Sequence, residues 1–216
     1  MSDDHRVRPS ARFAVALPPP REDGPVSVER AIGVRRTVRS FAAGGLTLAE
    51  IAQLLWAAQG ITGTEGRRAA PSAGALYPLE AYLFAGKVVK LPAGLYRYDG
   101  GRHDLTLHRE GDLRPDLAAA ALDQEWLGRA PAVVALCAFH GRTMARYGPR
   151  GRRYVDMEAG HAAQNLGLQA VAMDLVTGIV GAFEDDEVAG LMGLAADEVP
   201  LYLLPVGRPG GDDDVR

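Results

Sequence analysis

The sequence has one cysteine among its 216 residues, so it cannot form an internal disulfide. That residue, Cys137, lies within the apolar run 132–139, which is typical of a buried structural thiol rather than a reactive one. The five histidines are scattered, and no Cys/His spacing resembles that of a zinc site. We therefore expect no metal in this protein.

Sequence fingerprints of several common enzyme sites are also missing. Without G-x-G-x-x-G or G-x-x-x-x-G-K-[ST], a Rossmann or P-loop site is disfavoured, so any bound nucleotide must be held in another way. The absence of G-x-S-x-G weakens a hydrolase interpretation. No Ser-His-Asp order and no paired-carboxylate pattern stands out, so the sequence leaves the catalytic acid or base unassigned.

Long apolar runs and a strong net charge are absent as well. No run reaches the length of a membrane helix, and the polar N-terminus lacks the apolar core of a secretory signal, so we expect a cytoplasmic location. The net charge of −3 provides no overall basic field that would favour nucleic acid or an anionic membrane. An apolar content of 47% over this length is enough for a sizeable core.

The sequence divides into an N-terminal arm, one folded domain and a short tail. Residues 1–26 contain a charged tract, 3–8, and a proline tract, 17–20, which both disfavour helix, so an extended arm on the surface or on a partner subunit is predicted. Residues 27–209 are predicted to form a single domain. The hydrophilic residues 210–216 are predicted to be a flexible tail.

The domain begins with two helix patterns. Ser27 caps a short predicted helix over 27–33, and its apolar face consists of Val28, Ala31 and Ile32. Thr47 and Glu50 match a capping box, which opens a helix that ends at Gly60. Strand-like alternation then covers 80–108, where Asp99-Gly100-Gly101 predicts the turn of a hairpin.

The second half of the domain mixes helices and strands. A helix is predicted over 116–128, a buried strand over 132–139, and a long helix from Tyr154 to about Leu175 with small or apolar residues on nearly every face, which indicates burial. An acidic-capped helix over 185–194 and a strand over 200–206 complete the pattern. Because the elements do not alternate strictly, an α+β fold is favoured over a doubly wound α/β fold.

Three segments could contact a ligand. Arg35-Arg36-Thr37-Val38-Arg39 places three guanidiniums and a hydroxyl together, which can bind a phosphate, although a solvated surface cluster is the alternative. Residues 71–80 begin with small side chains, which let the backbone approach something flat; alone, they could form a tight turn. The turn 178–183 has two glycines that could present N–H groups, or it is a plain connection. Arg208 could be a second phosphate contact or a surface charge.

The long helix carries polar residues whose role the spacing leaves open. His161 lies near Glu158, Gln164 and Asn165. A satisfied polar network in a core or subunit interface is favoured over a proton-transfer site.

Taken in this order, the segments from about Val26 to Pro209 resemble the FMN-dependent nitroreductase superfamily, specifically its SagB-type (thiazole/oxazole) dehydrogenase branch. The run 35–41 resembles the family's opening R-R-[ST]-x-R-x-F, and the run 71–80 resembles the branch's loop beside the isoalloxazine ring. The long helix resembles the family's central helix at the dimer interface. This resemblance implies three groups of cofactor-binding residues. The FMN phosphate would be bound by Arg35, Arg36, Thr37, Arg39 and Arg208. The ring would lie beside Pro71, Ser72, Ala73, Gly74 and Ala75, and a backbone N–H of Val180 or Gly181 would lie near flavin N5.

The resemblance also implies a fold, an assembly and an activity. It implies a three-layer sandwich with a central, mainly antiparallel sheet, and a homodimer with FMN at the subunit interface. The implied reaction is hydride transfer between flavin N5 and an organic substrate, with NAD(P)H as a possible electron donor.

The loop departs from that of typical nitroreductases, whose P-S-x-x-N-x-Q-P pattern places an asparagine and a glutamine toward the flavin. Here Ala75 and Tyr77 occupy those positions, as in the SagB-type pattern. This favours a SagB-type dehydrogenase acting on a small-molecule or peptide substrate. An NAD(P)H-dependent nitro or quinone reductase is the alternative, and a non-catalytic flavin-binding protein is the third possibility.

Overall fold

The computed structural model describes residues 14–211, so the charged tract 3–8 and residues 212–216 of the predicted tail lie outside the described residues. Two short 3₁₀ turns, Thr64–Gly66 and Ala73–Ala75, accompany the main elements. In chain order these are β1 (Ala14–Ala16), α1 (Val28–Val34), α2 (Leu48–Gln59), β2 (Leu79–Ala85), β3 (Gly94–Asp99), β4 (Asp104–Glu110), α3 (Arg114–Ala120), α4 (Glu125–Arg129), β5 (Ala132–Ala138), α5 (His140–Tyr147), α6 (Arg150–Val171), β6 (Val176–Thr177), α7 (Asp185–Met192) and β7 (Val199–Gly207).

The strands form one sheet in the order β1-β4-β3-β2-β5-β7-β6, and all neighbouring strands in it are antiparallel. The central strands β2 and β5 are buried along their whole length. Because successive side chains of a strand point to opposite faces, these two strands contribute to two separate cores.

The two cores lie on opposite faces of the sheet. On one face, α2 and α6 pack against Leu83 and Val134. On the other face, α3, α4 and α7 pack against Phe84 and Val133. The arrangement is helix, sheet, helix, so the predicted three-layer α+β sandwich with a mainly antiparallel sheet is confirmed.

Local sequence rules explain where several elements begin and end. The Thr47 hydroxyl accepts from the Glu50 N–H at 3.2 Å, and the Glu50 carboxylate accepts from the Thr47 N–H at 2.7 Å, so the predicted capping box starts α2. The predicted hairpin is formed by β3 and β4, with Tyr98 opposite Leu105. Cys137 is buried in β5, as predicted, and burial raises the pKa of its thiol, which makes it unreactive.

Other elements differ from the prediction. The helix predicted over 116–128 is divided into α3 and α4, because Leu122 and Asp123 adopt φ values of +58° and +57° that no right-handed helix accommodates. Helix α5 was not predicted. Helix α6 begins four residues before the predicted start, and it stops before Asp174, which has a φ of +55°.

Helices α1 and α6 bury fewer of their side chains than the sequence pattern predicted. In α1, Ala31 is buried, but Val28 and Ile32 are 65% and 57% exposed, so the predicted apolar face of α1 does not pack into this chain. Helix α6 is buried on one side and exposes Met157 and His161 on the other. The prediction of burial on nearly every face of α6 is therefore wrong for the single chain.

The N-terminal segment is extended where the structure describes it. Strand β1 forms the edge of the sheet beside β4, and the Leu17 N–H donates to the His103 carbonyl at 3.0 Å. Within residues 14–211, no helix is both long enough and apolar enough to cross a bilayer.

Candidate functional site

The basic cluster, which we define as Arg35, Arg36, Thr37, Arg39 and Arg208, lies at the β6 edge of the sheet. Thr37 pairs with Thr177 of β6, and the Val38 N–H donates to the Thr177 carbonyl at 3.1 Å. A few residues later, the Ala42 N–H donates to the Arg208 carbonyl at 3.0 Å. Segment 35–42 therefore follows this edge. As a result, Arg208 lies at the same edge as Arg35, Arg36 and Arg39, which are distant from it in sequence.

The three neighbouring arginines have different surroundings. Arg36 donates to the carbonyls of Gly33 and Arg35 at 3.3 and 2.8 Å, so it caps the end of α1. The Arg39 guanidinium lies over the Trp126 ring, 5.5 Å from its centre. The Arg35 side chain crosses α6 at Gly167, where an added Cβ would lie 3.5 Å from Arg35 Cδ. Among the described residues, Arg35 and Arg39 form no salt bridge, so their donors remain free.

Arg208 is held by a carboxylate of α2. Its guanidinium donates to Glu50 Oε1 at 2.7 Å. Burial acts to raise the pKa of Glu50, but the hydrogen bonds from Thr47 and the ion pair with Arg208 outweigh it and lower the pKa below its usual value. Glu50 is thus ionised at neutral pH and orients Arg208 as well as starting α2.

The turn 178–183 lies beside the basic cluster. An added Cβ on Gly178 would lie 2.9 Å from Trp126 and 3.1 Å from Thr37, so the turn is packed tightly here. Val180 exchanges two backbone hydrogen bonds with Leu203 of β7, each 2.9 Å long. The Val180 N–H is therefore occupied, which corrects the prediction that it could meet a ligand. The Gly181 N–H makes no backbone hydrogen bond within residues 14–211, and Gly181 is exposed.

Residues 71–77, which we call the small-residue loop, are anchored on α6. The Ala73 N–H donates to Glu158 Oε1 at 2.8 Å, and Asn165 donates to the carbonyl of Ala69 at 3.3 Å, just before the loop. Inside the loop, the Ser72 hydroxyl accepts from the Tyr77 N–H at 2.9 Å. The polar residues of α6 singled out from the sequence thus serve, in part, to fix this loop, while His161 is exposed.

The loop presents backbone and methyl groups to solvent. Gly74 and Ala75 are exposed and have φ values of +63° and +54°. For Ala75 this left-handed conformation is strained, so the loop shape is maintained by its surroundings. One neighbour is α5: an added Cβ on Gly74 would lie 2.8 Å from Tyr147 Oη and 3.0 Å from Arg146 Nη1.

The basic cluster and the small-residue loop contact α6 on opposite sides. Glu158 and Asn165 are seven residues apart, close to two full turns, so they share one side of α6. Gly167, which contacts Arg35, is nine residues from Glu158 and is therefore rotated by about half a turn and displaced by about 13 Å along the axis. The structure thus brings Arg35–Arg39, the turn 178–183 and Arg208 together and places residues 71–75 elsewhere on the same chain.

The sequence did not predict two features of the site. Trp126 links the basic cluster to the turn, since its ring stacks with Phe41 at 6.4 Å and lies against Arg39 and Gly178. A single tryptophan in a short helix carries no pattern that would reveal this position. Helix α5 buries only Thr143, so its amphipathic pattern comes from its arginines and not from an apolar stripe. Arg142, Arg146 and Arg150 follow one another at intervals of four residues, which is the spacing of one helix face, and this spacing could have predicted α5.

A cavity of about 890 Å³ lies next to the small-residue loop, at the end of the sheet where β2 begins and β3 ends. Leu79 and Arg68 line it, and the Arg68 guanidinium lies over the Tyr77 ring. Glu80 pairs there with Arg97 at 2.9 Å and with Arg142 at 2.7 Å. The Tyr82 hydroxyl donates to Glu198 at 2.9 Å, and burial, with a smaller effect of Glu80, raises the pKa of Glu198. The predicted ring-side and phosphate-side residues therefore lie on the outer surface of the chain rather than in this cavity.

No group of His, Cys, Asp or Glu side chains in the described part of the chain could hold a metal ion. An antiparallel sheet between two helical layers, with a basic cluster and a glycine turn at one edge, defines a class of three-layer α+β protein.

Comparison with known proteins identifies the family. The profile of the nitroreductase family matches residues 32–208, so the chain belongs to that family. A relative from Methanocaldococcus jannaschii, named "Putative nitroreductase MJ1384", is 42% identical over 183 residues, which are 85% of this chain and 91% of that protein.

Solved structures agree with this assignment. A structure from Ralstonia eutropha, described as a "putative nitroreductase", matches with a TM-score of 0.80 and 31% identity over 92% of this chain and 90% of that chain. A chain of the microcin synthetase McbBCD complex of E. coli matches with a TM-score of 0.70 and 24% identity, covering 94% of this chain and 77% of that chain. At that identity, the likeness to the synthetase chain shows the fold alone.

Proposed function

We propose that this chain is an FMN-dependent oxidoreductase whose basic cluster holds the FMN phosphate. The observation that supports this most directly is the placement of Arg35, Arg39 and Arg208 along one sheet edge, where Thr37 and Trp126 also contact Gly178 of the glycine turn. Guanidiniums suit phosphate because they offer several donors in one plane. When bound, FMN supplies two-electron hydride chemistry that amino-acid side chains lack.

The residues present fit a phosphate-bearing group. Arg35 and Arg39 form no salt bridge among the described residues, and Thr37 between them is exposed. The next residue, Ser40, has a buried hydroxyl with no hydrogen-bond partner in the described chain. A buried hydroxyl without a partner is unfavourable, and an additional acceptor oxygen at this edge would satisfy it.

A homodimer would unite the two halves of the site. Because the small-residue loop and the basic cluster lie on opposite sides of α6, a second copy packed against the exposed side of α6 can place its loop across from the first chain's arginines. The exposed apolar residues Val28, Ile32 and Met157 lie on α1 and α6, which are in mutual contact. A two-fold contact would bury these side chains and supply the missing ring-side contacts from Pro71, Ser72, Ala73, Gly74 and Ala75.

The small-residue loop favours the SagB-type dehydrogenase interpretation within this family. Ala75 has no side-chain donor or acceptor. The Tyr77 hydroxyl accepts from the Arg68 N–H at 3.3 Å, and its ring lies 5.1 Å from the Arg68 guanidinium, so Tyr77 is engaged within its own chain. Neither residue offers the amide group that typical nitroreductases place toward the flavin.

An NAD(P)H-dependent nitro or quinone reductase is the second candidate. The relatives named as nitroreductases support it, as does an arginine-rich surface beside the small-residue loop, which suits an anionic electron donor.

The decisive experiment is the visible spectrum of the purified protein, with the released cofactor identified by mass spectrometry. We expect flavin absorbance and FMN in stoichiometric amount. A colourless protein that takes up no FMN would refute the proposal.

The direction of the reaction needs a second assay. Rapid NAD(P)H oxidation with menadione or a nitroarene would support the reductase, and its absence would support the dehydrogenase. Bound flavin that no donor reduces would indicate a protein without turnover.

A further inference from the structure

The cavity next to the small-residue loop is lined by three arginines and four carboxylates. Five of these seven groups neutralise one another through three ion pairs: Arg97 with Glu80 at 2.9 Å, Arg102 with Asp99 at 3.2 Å, and Arg102 with Asp104 at 2.9 Å. The other two, Arg68 and Glu198, form no salt bridge among residues 14–211. The cavity therefore contains one positive charge and one carboxyl group without a charged partner.

Glu198 is a buried carboxyl, 6% exposed, with one of its two oxygens engaged. Its Oε1 accepts from the Tyr82 hydroxyl at 2.9 Å, whereas Oε2 accepts no hydrogen bond from residues 14–211. Burial raises the pKa of Glu198, because the charged form is disfavoured away from water. A cationic group in the cavity would supply the partner that this carboxylate lacks.

Arg68 and Gln59 form a second polar site in the same cavity. Arg68 Nη1 donates to Gln59 Oε1 at 2.8 Å and to the Leu79 carbonyl at 3.2 Å, whereas Nε and Nη2 donate to nothing within residues 14–211. Gln59 is 4% exposed, and its amide nitrogen also donates to nothing in that part of the chain. A guanidinium beside an amide NH₂ group offers the donors that a carboxylate accepts.

Both sites are reached from the cavity. Gln59, Arg68 and Glu198 all line it. In the described chain, the side-chain polar atoms that are fully buried and lack a partner are Ser40 Oγ and Thr143 Oγ1. The unbonded atoms of Gln59 and Glu198 are therefore not sealed inside the protein, so a ligand in the cavity can contact them.

Strand β2 sets the distance between the two sites. Arg68 is bonded to Leu79, and Glu198 is bonded to Tyr82, three residues further along the strand. At about 3.4 Å per residue, the two sites lie about 10 Å apart. The Glu80 carboxylate between them is already neutralised by two arginines, so the middle of a ligand needs no charge. An extended peptide of three or four residues spans about 10–14 Å.

We propose that this cavity binds a short linear zwitterion, a free peptide of three or four residues, with its amino terminus at Glu198 and its carboxylate at Arg68 and Gln59. The site is separate from the basic cluster, and it requires free ends, which an internal segment of a longer chain lacks. The inference is independent of the FMN proposal, because all of these residues belong to one cavity of one chain.

Isothermal titration of the purified protein with tetraglycine tests the proposal. Tetraglycine should bind at least about tenfold more tightly than N-acetyl-tetraglycine or tetraglycine amide, because each blocked peptide has lost one charge-assisted contact. Glycine, whose charges lie too close together to bridge the two sites, should also bind at least about tenfold more weakly. Since these ligands are compared on the parent protein, the test does not depend on the folding of a variant.

Two variants assign the ends of the peptide. Glu198→Gln keeps an oxygen that can accept from Tyr82 but removes the charge, so tetraglycine and its N-acetyl form should bind alike, while the amide still binds more weakly. Arg68→Gln should instead abolish the difference between tetraglycine and its amide. Glu187→Gln, which changes an exposed carboxylate of α7, is the matched control and should keep both differences.

Three results would overturn the inference. These are equal affinities of the parent for the free and blocked peptides, no binding of tetraglycine in the millimolar range, and loss of both differences in Glu187→Gln. Binding of acetate as tightly as tetraglycine would show a simple anion site and would also overturn it. None of these results bears on the FMN proposal, which the visible spectrum tests separately.

Discussion

The residues of the basic cluster are alike in sequence but differ in what their side chains already bind. Arg36 donates to two carbonyls at the end of α1, whereas Arg39 lies over Trp126 and donates to no side chain or carbonyl among residues 14–211. A phosphate ligand therefore depends on Arg39 more than on Arg36, a distinction that three arginines in one motif do not reveal.

Replacing Arg39 by glutamine should weaken FMN binding by at least about tenfold, since a hydrogen bond to a charged group contributes roughly 1.5–3 kcal/mol. Fluorescence titration of the apoprotein with FMN measures this. Arg36→Gln is the matched control and should change FMN affinity far less, with a small loss of thermal stability from the uncapped helix. If Arg36→Gln weakens FMN binding as much as Arg39→Gln does, the assignment of their roles is wrong.

The carboxyl of Glu158 is buried and accepts a hydrogen bond from the Ala73 N–H, so its protonation state affects the stability of the protein. Burial raises its pKa above the usual value of 4.5, although the hydrogen bonds from Ala73 and Ser72 oppose that shift. Because the folded-state pKa exceeds the unfolded one, the folded protein binds more protons between the two values. The contribution of Glu158 to stability is therefore greatest below pH 4.5 and is lost as the pH rises through its folded-state pKa.

Glu158→Gln should remove this pH dependence and keep an oxygen that can accept from the Ala73 N–H. The difference in melting temperature between variant and parent should shift in favour of the variant between pH 4.5 and pH 8 in thermal unfolding. Glu158→Ala removes the acceptor and should destabilise the loop at both pH values. A constant difference between Glu158→Gln and the parent would show that this carboxyl is not perturbed.

At the scale of elements, the junction after β2 depends on a glycine. The buried Arg114 pairs with Asp112 at 2.6 Å and donates to the Ala130 carbonyl, so its guanidinium is fixed. A Cβ on Gly86 would overlap that guanidinium. The close approach of β2, α3 and the start of β5 therefore requires glycine at this position.

Gly86→Ala should destabilise the protein by about 1–3 kcal/mol, as expected for overpacking a fixed neighbour. Gly190→Ala is the control: it lies in α7 with nothing within 4 Å of its added Cβ, and it should stabilise the protein by up to about 1 kcal/mol through helix propensity. Urea unfolding of both variants provides the measurement. Equal stability of Gly86→Ala and the parent would mean that Arg114 moves freely.

The elements that could be predicted from the sequence are those fixed by local rules. Helix α2 follows from its capping box, the β3–β4 hairpin from its turn, and β5 from its apolar run. The break between α3 and α4 depends on two left-handed residues without glycine, and α5 is held by contacts with α6 rather than by an apolar pattern. Local patterns do not specify either feature.

In the candidate site, too, local sequence patterns predicted some features and long-range packing determined the others. Its segments could be identified from residue types, but the occupied Val180 N–H and the placement of residues 71–75 across α6 from the arginines arise from pairing between distant strands and helices.

At the scale of the whole molecule, the exposed side of α6 has the composition of a contact surface. Met157 is 45% exposed there, and an added Cβ on Gly160 would meet nothing within 4 Å, so a neighbouring surface could approach the backbone closely. Helix α1, which contacts α6, adds the exposed Val28 and Ile32. If this surface is the dimer interface, its loss should remove FMN as well, because each flavin would then contact both chains.

Met157→Asp tests that coupling, since it places a charge in the centre of the proposed apolar contact. We expect size-exclusion chromatography with light scattering to show a monomer in place of a dimer, and FMN affinity to fall by at least about tenfold, because only the basic cluster of the same chain remains. Leu122→Asp is the matched control: Leu122 is 54% exposed between α3 and α4, and its φ of +58° suits aspartate, so this variant should stay dimeric and keep its FMN. A monomeric Met157→Asp protein that binds FMN with unchanged affinity would show that one chain holds the flavin alone, and the small-residue loop would then need another role.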